Sequence, residues 1–133
     1  MSDLLSLAAD ERRRLEADRR AADQGMRDGF GRRIEYLRIS VTDKCNLRCV
    51  YCMPEHGLPW LARREILTYE EIASIVGVMA RLGLRRVRIT GGEPLVRRDI
   101  VTLVREIGEI PGIEDIALST NAVLLAPMAD ALR

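Results

Sequence analysis

Three stretches of two-residue alternation, each followed by a stretch suited to a helix, restrict this chain more than any other feature of its sequence. From Tyr36 onward, Leu37, Ile39 and Val41 fall on one side and Arg38, Ser40 and Thr42 on the other, as in a strand with one apolar face. Arg86 to Thr90 and Asp115 to Ser119 repeat the pattern, with Val87, Ile89, Ile116 and Leu118 in the apolar register and Arg88 and Ser119 in the polar one. After the first strand, Thr68 and Glu71 have capping-box spacing, and Ile72, Ile75, Val76 and Met79 recur at helical intervals up to a C-cap at Gly83. Ile100, Leu103, Val104 and Ile107 mark a second helix ending near Gly108 and Pro111, and Pro127 suits the first turn of a last helix through Leu132. Strands alternating with helices imply a parallel sheet with right-handed crossovers, so the fold class is α/β. Three βα units make part of a barrel wall, with helices on the apolar side.

Length and charge narrow the possibilities further. A chain of 133 residues with 47% hydrophobic content supports one core. Its 21 basic and 20 acidic residues leave +1, which gives no electrostatic reason to expect a nucleic-acid or acidic-membrane partner; an anion site must come from placement. No apolar run reaches the roughly eighteen residues of a membrane span, and the N-terminus has no hydrophobic segment for secretion. The basic runs at Arg12 to Arg14 and Arg19-Arg20 are broken by Asp10, Glu11, Glu16, Asp18 and Asp23, unlike a mitochondrial presequence. A cytoplasmic location follows, with residues 1–31 a charged, flexible or helical extension and residues 32–133 the folded part. The sequence breaks off at Arg133 inside or just after a helix, so the chain reads as the front portion of a longer protein.

All three cysteines lie in one loop after the first strand, Cys45-Asn-Leu-Arg-Cys49-Val-Tyr-Cys52. An odd number at such short spacing is no disulfide framework; it is a metal-ligand set. Three thiolates on C-x3-C-x2-C spacing can hold three irons of a [4Fe–4S] cubane and leave the fourth iron open. Zinc bound by these cysteines and His56 is the alternative, since zinc accepts three sulfurs and an imidazole. Against it stand the Gly57 that follows His56 and the absence of two separated ligand pairs.

C-x3-C-aromatic-C resembles the signature of the radical S-adenosylmethionine (SAM) superfamily, and Gly91-Gly92-Glu93-Pro94 resembles its second motif. Leu37 to Pro54, Val87 to Asp99 and Ala117 to Leu125 resemble more closely the GTP 3',8-cyclases of molybdenum cofactor biosynthesis, with Ser119 in place of a common threonine and Ala122 in place of a common glycine. The resemblance implies a partial (β/α) TIM-like barrel of the radical SAM type. It implies a [4Fe–4S] cluster on Cys45, Cys49 and Cys52, SAM contacts at Tyr51, Gly92 and Glu93, and GTP contacts at Arg38, Arg88 and Ser119. No protein side chain is then a catalytic residue, because cluster and SAM carry the chemistry: a 5'-deoxyadenosyl radical takes hydrogen from the ribose C3' of GTP, and the carbon radical attacks C8 of guanine. The implied electron source is a reducing partner such as flavodoxin or ferredoxin.

In that family a second [4Fe–4S] cluster sits in a C-terminal domain, and no cysteine follows Cys52 here, so this chain alone is expected to bind a cluster without turning over GTP. Two arginines in the polar register of parallel strands require water or an anion beside them, and a triphosphate answers that. Solvation on an open sheet face, or pairing with a carboxylate such as Glu93, is the alternative. Arg97, Arg98 and Asp99 read as a solvated helix start. Another radical SAM enzyme with a different substrate, or a non-catalytic iron–sulfur or zinc-binding remnant, remains open.

Overall fold

The computed structural model describes residues 12, 13, 16, 25–52, 54, 56, 57 and 59–133. Strands form where the alternation lies: β1 (Tyr36–Ser40), β2 (Arg86–Thr90) and β3 (Asp115–Leu118) pair in parallel in the order β1-β2-β3. Register aligns Leu37, Val87 and Ile116 in one row and Ile39, Ile89 and Leu118 in the next. Side chains alternate across a sheet, so these rows form one continuous apolar face.

Helix α1 (Tyr69–Arg81) and helix α2 (Ile100–Gly108) cover that face. Ile72 and Val76 of α1 and Ile100, Leu103 and Ile107 of α2 share one buried cluster with Val87 and Ile89. Each such side chain contributes roughly 1.5–3 kcal/mol on burial, which outweighs the modest helix propensity of the isoleucines and Val76.

The start of α1 follows its capping box. Thr68 Oγ1 accepts from the Glu71 amide at 3.2 Å, and the Glu71 carboxylate accepts from the Thr68 amide at 2.8 Å. Its end is a Schellman turn: Gly83 takes φ +99°, its amide donates to Ala80 O, and the Leu84 amide donates to Met79 O, both at 3.0 Å.

Four sequence expectations are modified. Ile75 is 45% exposed, so the buried stripe of α1 is the narrower Ile72, Val76 and Ala80. The last helix is only a 3-10 turn, Ala126–Met128, followed by further turns. Pro127 fits the first turn, but one turn of backbone hydrogen bonds does not offset the cost of helix nucleation.

Arg97 does not belong to a solvated helix start. Its guanidinium donates to Val41 O at 2.7 Å and Leu67 O at 2.6 Å and lies 4.3 Å from the centroid of the Tyr69 ring, tying the exit of β1 to the start of α1. Arg98 and Asp99 are exposed as expected.

Finally, residues 25–31, counted with the extension, make a defined turn. Asp28 Oδ1 accepts from the Phe30 and Arg32 amides, and the Met26 amide donates to Leu82 O at the end of α1. Most of the rest of the proposed extension lies outside the described residues. Among the described residues no helix is long and apolar enough to cross a membrane.

Candidate functional site

Parallel strands deliver their exits to one end of a sheet, where loops can combine. Here the exits are tied together by the main chain. Past the end of β1 the Val41 amide donates to Thr90 O at 2.9 Å; the Gly92 amide then donates to Thr42 O and the Glu93 amide to Lys44 O, each at 2.8 Å. The loop Gly91 to Pro94 is thus zipped onto the segment that leads directly into Cys45.

The two glycines are required by this approach. A Cβ on Gly91 would lie 2.3 Å from Thr42 O, with φ at +143°, and a Cβ on Gly92 would lie 2.3 Å from Lys44 O. Both distances are far inside van der Waals contact, so only hydrogen fits there.

Glu93 closes the third side. It is 1% exposed, and its oxygens accept from the Leu95 amide at 2.9 Å, the Thr120 hydroxyl at 2.8 Å and the Asn121 amide at 2.7 Å. The carboxylate therefore fastens the β2 exit to the β3 exit, with three donors compensating its burial. Asn121 reaches onward: its Nδ2 donates to Asn46 Oδ1 at 2.8 Å and approaches Cys45 Sγ at 3.9 Å. Ala122 beside it holds φ +64°, the left-handed region, at a cost of about 1–2 kcal/mol that glycine would avoid.

The cysteine loop is compact but accessible. Cys45 and Cys49 are half-buried, Cys52 is exposed, and all three thiols are free. The Cys52 amide donates to Cys49 O at 2.9 Å, the Leu47 amide to Cys45 Sγ at 3.4 Å, and Arg48 to Cys45 O at 3.0 Å while stacking over Trp60. Tyr51 is 90% exposed. Negative charge on Cys49, a hydrogen bond to Cys49 and charge on Cys52 push its phenol pKa above the ordinary value.

His56 is exposed, and among the described residues no three His, Cys, Asp or Glu side chains are gathered tightly enough to hold a single ion. A tetrahedral zinc needs its ligands about 2.0–2.3 Å from one point, whereas a cubane distributes its thiolates over separate irons. Three cysteines with no fourth thiol suit a cubane with one iron left open.

Arg38 and Arg88 are direct neighbours across β1 and β2, on the face opposite the helices. Arg88 is held from two sides, donating from Nε to the Tyr36 hydroxyl at 2.7 Å and from Nη1 to Ser119 Oγ at 3.3 Å. The Arg38 side chain is exposed and, among the described residues, makes no hydrogen bond or ion pair. At the other end of the strands the pattern is reversed: Arg33 and Arg86 pair with Glu35, and Arg85 pairs with Glu114. Cations at the starts of β1, β2 and β3 are matched to carboxylates. At the middle of the strands, Arg38 and Arg88 have no carboxylate within ion-pair distance among the described residues.

The three expected groups thus come together to different degrees. Arg88 and Ser119 touch, Arg38 stands beside Arg88, and the cysteines share one loop with Tyr51. Gly92 and Glu93 act here through the backbone zipper and the buried hub. Sequence reasoning gave no role to Tyr36, Thr120 or Asn121. The Thr120-Asn121 pair lay inside a segment singled out as a block, and an Asx turn, with the Val123 amide donating to Asn121 Oδ1 at 3.1 Å, is its local signal.

The sequence profile of the radical SAM superfamily matches residues 39–133. This chain belongs to that superfamily. Among relatives of the radical SAM chain, proteins named GTP 3',8-cyclase are 56% identical over 110 residues in Listeria monocytogenes, 56% over 108 in Heliobacterium modesticaldum and 54% over 108 in Moorella thermoacetica. These alignments cover 83%, 81% and 81% of this chain and 33% of each relative. The chain therefore spans about a third of the length of these relatives.

Radical SAM membership implies a [4Fe–4S] cluster and SAM as cofactors. The residues present fit them. Three soft thiolates on one exposed loop leave one iron of a cubane without a protein ligand, and the closely packed glycine loop lies next to that cysteine loop.

Proposed function

We propose that this chain forms the cluster-binding part of a GTP 3',8-cyclase, acting in the first step of molybdenum cofactor biosynthesis. In this reading residues 32–133 are the first three βα units of a partial TIM-like barrel, and residues 1–31 precede it. Cys45, Cys49 and Cys52 hold the cluster. Tyr51 and the backbone at Gly92, with Glu93 bracing that loop, border SAM. Arg38, Arg88 and Ser119 face the triphosphate substrate.

The observation that carries the proposal is the charge pattern of the open sheet face. Two adjacent arginines without carboxylate partners stand at the middle of β1 and β2 on the face opposite the helices, while Arg86 at the start of β2 and the flanking Arg33 and Arg85 are paired. Two cations side by side repel each other, and a polyanion between them removes that repulsion. Tyr36 and Ser119 occupy two donor positions of Arg88 and so fix the plane of its guanidinium, leaving the remaining N–H groups for phosphate oxygens.

A cluster held by Cys45, Cys49 and Cys52, with SAM bordered by Tyr51 and Gly92, would supply one-electron reduction and radical chemistry. The chain's own residues hold the two ligands in reacting geometry and restrict water. An external one-electron donor of the flavodoxin or ferredoxin class completes the scheme.

Anaerobic reconstitution tests the proposal. About four irons and four sulfides per chain, with a cluster spectrum altered by SAM, are expected. GTP affinity of the loaded chain should fall roughly tenfold or more in Arg88→Ala, the loss of one charge-assisted hydrogen bond. Zinc in place of iron overturns the cluster assignment. A SAM-responsive cluster with unchanged GTP affinity in the Arg38→Ala/Arg88→Ala double variant overturns the substrate and favours a radical SAM enzyme of another specificity.

A further inference from the structure

Asn121 is held at two points before it meets the cysteine loop. Its amide N–H donates to the buried Glu93 carboxylate at 2.7 Å, and its Oδ1 accepts from the Val123 amide at 3.1 Å. The second bond decides which way the carboxamide faces, because a flipped side chain would set NH2 against N–H. Nδ2 is thereby turned toward Asn46 Oδ1 at 2.8 Å and Cys45 Sγ at 3.9 Å. Cys45 Sγ also accepts from the Leu47 amide at 3.4 Å. Among the described residues no N–H donates to the sulfur of Cys49 or Cys52, and the hydrogen bond at Cys49 is to the exposed Tyr51 phenol. The three sulfurs are therefore electrostatically unequal.

We infer that Asn121 is a positioning residue that fixes the Cys45 corner of the cluster and raises the cluster's reduction potential through its N–H···S contact. The inference rests on Cys45, Cys49 and Cys52 being cluster ligands. One-electron reduction adds a negative charge that spreads onto the sulfurs. An N–H dipole aimed at a sulfur stabilises the reduced form more than the oxidised one. The N···S distance is long for a hydrogen bond, so the effect is that of a single weak donor. Its direction is nevertheless fixed by the sign of the dipole. The Glu93 hub supplies the stiffness, since the donor can act on Cys45 only if the β3 exit is locked to the β2 exit.

The reconstituted chain is titrated with dithionite while the reduced cluster is followed by electron paramagnetic resonance. Asn121→Leu keeps the volume and removes the donor; its one-electron reduction equilibrium should weaken about tenfold, a shift of about 59 mV to more negative potential. Asn121→Asp keeps the acceptor for Val123 but exchanges donor for charge, and should shift further in the same direction. Asn46→Ala removes the other partner of Nδ2 and leaves the sulfur contact, so its potential should remain near that of the wild type.

Unmoved potentials in both Asn121 variants at full iron and sulfide content overturn the inference while leaving the cluster assignment intact. An Asn46→Ala shift equal to that of Asn121→Leu also overturns it, because loosening of the loop would then explain both. A wild-type chain that takes up no iron–sulfur cluster overturns the inference together with the reading on which it rests.

Discussion

Substituting Glu93 by glutamine should destabilise the chain by about 2 kcal/mol, and the figure follows from three hydrogen bonds. The carboxylate is fully acceptor, taking Leu95 N–H and Thr120 O–H on Oε1 and Asn121 N–H on Oε2. Glutamine has one acceptor oxygen. If that oxygen stands at the Oε2 position, the NH2 group opposes the Leu95 amide, although the Thr120 hydroxyl can turn and accept. If it stands at the Oε1 position, NH2 opposes the Asn121 amide. In either orientation one main-chain N–H is buried against another donor, which costs about 1–3 kcal/mol.

Loss of charge assistance in the surviving bonds adds to the cost, and relief from burying a charge offsets part of it. Urea unfolding followed by circular dichroism should show a midpoint about 1 M lower, taking an m-value of about 2 kcal/mol/M. An unchanged midpoint would mean that water satisfies these donors as well as the carboxylate does, and the role of Glu93 as the brace between strand exits would be wrong.

Two glycines should respond in opposite directions. Gly92→Ala places Cβ 2.3 Å from Lys44 O and should cost about 3 kcal/mol, whereas Gly77→Ala on α1 meets nothing within 4 Å and should stabilise by about 1 kcal/mol. Equal unfolding midpoints for the two variants would contradict the backbone contact. Burial raises the Tyr69 phenol above its ordinary 10.0, so the folded state keeps a proton that the unfolded state releases. Its contribution is fully present below about pH 10 and is lost as pH rises through the elevated value. Tyr69→Phe should lessen the alkaline decline in urea-unfolding free energy between about pH 9 and 11, and an identical decline in both proteins would refute this.

Much of the fold is written in local pattern. Two-residue alternation in Leu37 to Val41 and Val87 to Ile89 was sufficient because one face of the sheet is buried by helices and the other carries polar groups. Thr68 and Glu71 announce the start of α1 because a capping box involves only neighbours. The cysteine spacing is equally local.

What sequence could not disclose depends on distance. Arg97 sits in a charge run that looks solvated, yet its partners are carbonyls 56 and 30 residues away. Glu93 was read as a ligand-facing acid, and its satisfaction by Thr120 and Asn121 depends on the β2–β3 pairing. Asn121 gained a role only once the cysteine loop lay beside it. Pro127 misled in the other direction: it fits a helix start, but a start without sufficient following hydrogen bonds remains a turn.

The zipper between Gly91-Gly92 and Thr42 to Lys44 carries an unequal constraint. The surfaces that meet are α-carbons on one side and carbonyl oxygens on the other. Any residue has a carbonyl, so position 44 can exchange its exposed side chain without altering what Gly92 touches. Position 92 has no such latitude. A library randomising both segments should therefore retain glycine at 91 and 92 while admitting broad chemistry at 44, so the charge leading into the cysteine loop could be retuned without moving the main chain that carries it.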